Sequence, residues 1–582
     1  MRNRVLKISG LFLLLALLTV ECTDRFAEIN QDPREVNDPD LSHLFTNALY
    51  NSASEGNEYT QWFYNNSVYF WRFCQLTAAR GGNTPDFNEV GALGGVPVTQ
   101  VLNDMQEIRY RISLMDETTR DAYQAFEAIT YIPVIQVALR HTDWYGSMVY
   151  SEGSQIRYNG NLTPKYDTQE ELFEIWLTQL KSAIDVLINA GSDQVRPENQ
   201  DFLYQSDWVS WARYANSLRL RIAARLEHAD PAWMNQVLAD ILSYKDGEGN
   251  LLLIVDPSQN AVWTAGADYP GPGGSNSLWI ENYGPSMNFS DFMRRNEDPR
   301  LRIFFRKNDL SDANIALLLE VMNEEDLPSW VNIPVVEPWD RLIGSPVSPD
   351  RSGELDYYGA ALRDADNRAY SRLPYVDYNL IKPKQNNRDG EYKNILLGAA
   401  EVSLYLAEFI EKGYISGIGS AQEWYEQGVE FSLIQYDDRA STARLVDYGE
   451  RITQSGELES LLASDDVKYI PGDNGNVEKI NLQQIINFFD NPYEAVFISR
   501  RTGYPKKNST IWAWEPYLKP GGIEMKMPRR FPWQTPSIET NLVNWQKALN
   551  DQGFTASLFD GPTLNSERVW WDKNCPDYGN GE

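Results

Sequence analysis

From about residue 40 onward, apolar positions recur at three- and four-residue spacing far more often than at two, which predicts helices. Thr168-Gln-Glu-Glu171 has the spacing of a capping box, in which a threonine and the glutamate three residues on satisfy each other's backbone N–H groups. It opens a run with Leu172, Trp176, Leu180, Ile184 and Leu187 on one face, closed by Gly191. Ser206 opens a second run with Trp208, Trp211, Ala215, Leu218, Ile222 and Leu226. Asp230-Pro231 reads as an N-cap followed by proline in the first turn, and Trp233, Val237 and Ile241 continue its apolar face. The periodicity predicts further helices over 120–141, 392–412 and 420–436, the last behind a second capping box at Ser420 and Glu423. Shorter helices fit around 481–490 and 537–550. Antiparallel helix pairs with short loops imply a mainly α, tetratricopeptide-like scaffold, although no clean 34-residue repeat runs through the chain. The long segments rich in Gly, Pro and aromatics, chiefly 250–390 and 440–535, read as a loop-rich lobe on a scaffold drawn mainly from 41–250 and 390–440. Residues 41–582 are thus expected to form a single unit.

The first 21 residues have a different pattern. Arg2, Arg4 and Lys7 precede an apolar run, Leu11–Val20, interrupted only by Thr19 and too short for a bilayer span of about 20 residues. This is the pattern of a signal peptide. Cys22 follows Leu-Thr-Val-Glu, similar to a bacterial lipobox, with Glu21 where a small residue is usual. On that reading Cys22 carries palmitate-type acyl chains, and the polar stretch 22–40 is a lipidated tether holding the protein at a membrane. The competing reading is an ordinary signal-peptidase cut with Cys22 incidental.

Composition narrows the chemistry. The 52 Lys and Arg against 82 Asp and Glu leave a net charge of −30, which repels phosphate backbones and argues against nucleic acid as a partner. The three histidines are too few and too scattered for a multi-histidine metal site, and no metal or cofactor is expected. Beyond Cys22 only Cys74 and Cys575 remain, and they read as buried small hydrophobes. Aromatics are the excess: 18 Trp, 32 Tyr and 22 Phe, more than a core alone requires, which points to recognition of something outside it.

Several blocks, in order, resemble the SusD/RagB outer-membrane lipoproteins, in particular the SusD-like nutrient-binding branch. They are Tyr145-Gly-Ser-Met-Val-Tyr-Ser-Glu152, Thr163–Glu171, Trp211–Ile222, Asp298-Pro-Arg-Leu301, Gly398–Glu408, Arg500-Arg-Thr-Gly-Tyr-Pro505, Pro528-Arg-Arg-Phe-Pro532, Asn541 to Asn544 and Val569-Trp-Trp-Asp572. The resemblance implies a surface-exposed lipoprotein of the cell outer membrane that captures oligosaccharides or other nutrients without catalysis. It also implies a partner, a TonB-dependent transporter of the SusC type. No family motif fixes the binding residues.

Sugar recognition needs aromatic faces for ring C–H groups and polar groups for hydroxyls. The glycine- and proline-rich stretch 257–285 supplies Trp263, Tyr269, Trp279 and Tyr283 as ligand-binding candidates. Phe87, and Trp330 and Trp339 among prolines, are further ones. Each has a packing alternative, in which the ring staples its loop to the scaffold. Trp176, Trp208, Trp211, Trp233 and Trp424 lie at helical spacing and read as core. Arg500 and Arg501 could clamp an anion, but loop-tethering ion pairs are the commoner role. Asp473-Asn-Gly-Asn476 reads as a turn and lacks the ligand spacing of a calcium loop. The acidic net charge favours neutral over anionic glycans at long range.

Two other functions fit the same features. A secreted, helix-rich glycoside hydrolase would need two carboxylates roughly 5–10 Å apart, which 82 acidic residues supply many times over. No G-x-S-x-G or H-E-x-x-H motif is present, and no catalytic residue is assigned. A surface adhesion protein without a transport role shares the anchor and the scaffold.

Overall fold

The helix Trp208–Leu226 is buried on nearly every side. It packs between Gln169–Ile188 and Pro231–Ser243 and also touches Tyr131–Tyr145 and Ala399–Glu411. The computed structural model describes residues 40–54, 60–82, 98–266, 269, 280–383, 389–445, 448–449, 451–533, 535–536, 541–555 and 561–581, with the side chains of 60–64 excepted. Phe45–Glu582 forms one compact unit; of the unit before it only residues 40–44 are described, the opening turn of Leu41–Ala53. Residues 1–39, which hold the expected signal peptide and all but the last residue of the expected tether, therefore lie outside the described residues. No helix among the described residues is long and apolar enough to cross a membrane.

The architecture is mainly α, built from consecutive antiparallel helix pairs. Gln169–Ile188 starts where its capping box predicts. Thr168 Oγ1 accepts from the Glu171 amide at 3.3 Å and the Thr168 amide donates to the Glu171 carboxylate at 2.7 Å. Its apolar face, Leu172, Trp176, Leu180, Ile184 and Leu187, is buried. Each such side chain contributes about 1.5–3 kcal/mol on leaving water. The next helix is capped one residue later than its sequence suggests, by Asp207, whose carboxylate accepts from the Val209 amide. Asp230 caps Pro231–Ser243 through the Trp233 amide, 2.9 Å away. Ser420 and Glu423 form the second capping box, opening Ala421–Thr442, which packs along Ala399–Glu411.

Three segments differ from their periodicity. The stretch 120–141 divides, with Gln124–Ile129 and Tyr131–Tyr145 meeting at Thr130. The stretch 392–412 begins as a strand, Lys393–Leu397, because its backbone pairs with Ala261–Thr264; only Ala399–Glu411 is helical. Within 440–535 lies a further helix pair, Asn476–Asn487, which packs against Ala399–Glu411, and Pro492–Thr502, which packs against Asn476–Asn487. The second of these helices escaped the apolar pattern because Glu494, Arg500 and Arg501 lie on it and are buried.

Those charges join a network that rivets the helix pairs together. Arg221 grips Glu401 through two bonds of 2.6 Å, and Arg225 bridges Asp143 at 2.6 Å and Glu494 at 3.2 Å. Arg501 grips Glu408 at 2.6 and 2.8 Å and also pairs with Glu227, while Lys412 reaches both carboxylates. Removing one partner of such a pair strands a buried charge, at a cost of about 3–5 kcal/mol. Burial opposes ionisation of Glu408, but Arg501 and Lys412 outweigh it and hold the carboxyl well below its usual range.

Strands are short and antiparallel among the described residues: Thr77–Ala79 with Tyr283–Pro285, Phe305–Arg306 with Tyr375–Val376, Leu362–Arg363 with Ala369–Tyr370, and Leu518–Lys519 with Ile523–Glu524. Leu310, Ile315, Leu318, Leu327, Leu362 and Tyr370 form a satellite core, with Trp330 and Met322 packed against it.

Candidate functional site

A cleft of about 680 Å³ lies where segment 507–529 meets segment 562–580. That volume suits a small-molecule ligand, for which sites typically run about 300–1,000 Å³. Its geometry starts from backbone. The Lys507 amide donates to the Gly579 carbonyl at 2.7 Å, which lays the C-terminal segment beside residues 506–514. Gly579 has φ +77° there, and a Cβ at that position would come within 2.8 Å of the Trp514 ring. Only glycine lets the backbone lie on the indole so closely. Trp514 and Tyr578 then stack at 5.8 Å between centroids, and the Arg529 guanidinium lies over the Tyr578 ring at 4.8 Å. Met525 and Met527, both buried, add deformable apolar surface.

Charges line the same cleft. Arg529 donates to Asp572 at 3.0 Å and to Asp577 at 3.3 Å; Arg568 pairs with Asp577 and donates to the Cys575 carbonyl at 2.7 Å. Lys507 stands 3.5 Å from Glu524. Lys526 is exposed and makes no ion pair among the described residues. The Asp577 carboxyl sits below its usual range: partial burial opposes this, and Arg529, Arg568 and Lys526 prevail. Tyr578 is 9% exposed and its hydroxyl has no hydrogen-bond partner among the described residues. A buried hydroxyl left in that state costs about 1–3 kcal/mol. Ser566, Asn565 and Asn580 complete the polar lining. The cleft thus offers ring and thioether surface, amides, hydroxyls and cations, the groups a polar ligand with apolar C–H edges requires.

Of the residues singled out from sequence, the five that are described, Trp263, Tyr269, Tyr283, Trp330 and Trp339, do not line this cleft. Trp263 is 5% exposed and surrounded by rings: Tyr269 at 4.8 Å, Tyr50 at 5.5 Å, Tyr392 at 6.3 Å and Phe202 at 6.5 Å. The Tyr269 hydroxyl donates to the Ser54 carbonyl at 2.6 Å. Tyr283 is buried with the Arg72 guanidinium 4.9 Å from its ring centroid. These three rings meet neighbours of the scaffold. Trp330 donates its indole N–H to the Asp356 carbonyl and stacks near Tyr357, and Trp339 opens a half-buried turn whose carbonyl accepts from Arg294. Phe87 and Trp279 lie outside the described residues. Trp176, Trp208 and Trp211 are buried, Trp233 and Trp424 half-buried. Arg500 and Arg501 are buried and ion-paired within the network, Cys74 and Cys575 are buried and form no disulfide, and Asp473 closes a turn on the Gly475 amide. The sequence reading missed the cleft. Its signal was the run 506–530, where Lys506, Lys507, Lys519, Lys526, Arg529 and Arg530 meet only Glu515 and Glu524 in a chain of net charge −30, interleaved with Trp512, Trp514 and Tyr517.

Solved SusD homologues share this fold. One from Flavobacterium johnsoniae, described as chitin-binding, superposes with TM-score 0.64 at 20% identity, covering 92% of this chain and 99% of its own. One from Bacteroides fragilis gives TM-score 0.65 at 16% identity, covering 89% and 98%. A search of the curated proteins returns no match. The model of the SusD-like family described as "Starch-binding associating with outer membrane" matches residues 33–318 and 356–532. The chain belongs to that SusD-like family. Outside the match lie 1–32, 319–355, which holds Trp339 and part of the satellite core with Trp330, and 533–582, which supplies the C-terminal wall of the cleft.

Proposed function

We propose that the protein is a surface lipoprotein of the outer membrane that captures an oligosaccharide and hands it to a SusC-type TonB-dependent transporter, without cleaving it. The observation that carries this reading is the family match across two blocks that together span most of the chain. The cleft of about 680 Å³ supports it with a lining suited to sugar rings and hydroxyls. Trp330 and Trp339, half-buried on the satellite lobe, are secondary ligand candidates.

Calorimetry of the full chain, purified in detergent, against neutral and acidic oligosaccharides tests the reading, with each mixture then assayed for new reducing ends. Saturable heat without new ends is expected; new ends would make the protein a hydrolase, and silence throughout would remove the glycan. The anchor is tested separately. Cys22→Ala should move the protein from the membrane to the soluble fraction, and retention at the membrane would show that acylation of Cys22 is not what holds it.

A further inference from the structure

The cleft is electrostatically unlike the rest of the molecule. Four cations line it, Lys507, Lys526, Arg529 and Arg568, against two carboxylates, Glu524 and Asp577, a local excess of +2 in a chain of −30. The arginines are committed to Asp572, Asp577 and backbone carbonyls. The lysines are not: Lys507 has only a 3.5 Å contact with Glu524, and Lys526 has no ion pair among the described residues. A cleft serving only to pack the C-terminal segment gains nothing from surplus cations on its lining. Nor does packing use the Tyr578 hydroxyl, buried in the wall without a hydrogen-bond partner among the described residues.

Resting on the glycan-capture reading, we propose that this cleft is a subsite for an acidic sugar, whose carboxylate or sulfate is held by Lys526 and Lys507 while Tyr578 supplies a hydrogen bond to the same ring. The net charge of the chain does not decide this. At physiological salt, fields between exposed charges fade within about 8–10 Å, so an anion inside the cleft responds to the lysines a few ångströms away. Lys is suited to the role as a flexible point charge that can follow either anion.

The test is calorimetry on the full chain in detergent with four probes: a trimer of galacturonic acid, a sulfated disaccharide, the neutral maltotriose and the acidic peptide triglutamate. Wild type is compared with Lys526→Ala and Lys507→Ala, both outside the buried core, and unchanged melting temperatures establish that each variant folds. The expected result is that at least one acidic sugar binds about tenfold more tightly than maltotriose, weakens with added salt, and loses that preference in Lys526→Ala. The carboxylate and sulfate arms tell the two anions apart. Acidic sugars binding no tighter than maltotriose, or a preference that survives both substitutions, overturns the subsite while leaving glycan capture standing. Triglutamate binding as tightly as the sugars overturns the sugar and leaves a general carboxylate site. Binding of no saccharide overturns this inference and the capture reading together.

Discussion

Trp263 shows what a single aromatic residue does in this protein. Its neighbours Tyr50 and Tyr392 come from distant parts of the chain, and its strand pairs with Lys393–Leu397. Truncating a ring so enclosed leaves a cavity, so Trp263→Ala should cost about 3–5 kcal/mol and lower the melting temperature. Thermal unfolding followed by circular dichroism measures it; an unchanged transition would mean the ring is not held by its neighbours. Composition placed Trp263 in a glycine- and proline-rich stretch but could not say which rings would close over it. Arg500 is the converse case. Adjacent arginines near a loop look available to an anion, yet Arg500 lies between Trp144 and Trp571, 4.5 and 4.7 Å from their ring centroids, and pairs with Asp572.

Helix starts were legible because capping is local: Thr168 with Glu171 and Ser420 with Glu423 each form the reciprocal bonds their spacing implies. Strand and helix were confused over 392–412 because the decisive bonds run to Ala261–Thr264, beyond any local window. The crossing of Ala399–Glu411 over Ala421–Thr442 turns on one position. A Cβ at Gly428 would stand 2.6 Å from Leu404 Cγ and 3.2 Å from the Leu404 backbone nitrogen. Gly428→Ala gains about 1 kcal/mol of helix propensity, but the helices must separate to admit the methyl, and the backbone contact cannot yield as a side chain can. A net fall in melting temperature is expected; a rise would show that the crossing has slack.

For the molecule as a whole, the buried network ties stability to pH with a definite sign. Glu408 is held below its ordinary value of 4.5, so the folded state binds this proton less readily than the unfolded chain does. Its contribution is complete above about pH 4.5 and is lost as the pH falls below that. Glu408→Gln should therefore be less stable than wild type by about 3–5 kcal/mol near pH 7, with the gap narrowing under acid. Urea unfolding of both proteins across that range measures the difference, and a gap that stays constant or widens below pH 4.5 would exclude Glu408 as a paired carboxylate. The helical class, the capped helix starts and the family resemblance are all readable from the amino-acid order, because apolar spacing and capping residues act within a few positions along the chain. Tertiary structure alone decided that Trp263, Tyr269 and Tyr283 face scaffold neighbours, that Arg501 belongs to Glu408 and Glu227, and that Lys507 and Lys526 share a cleft with Tyr578. Burial of a ring and neutralisation of a charge depend on which distant segments meet, and local spacing carries no record of that.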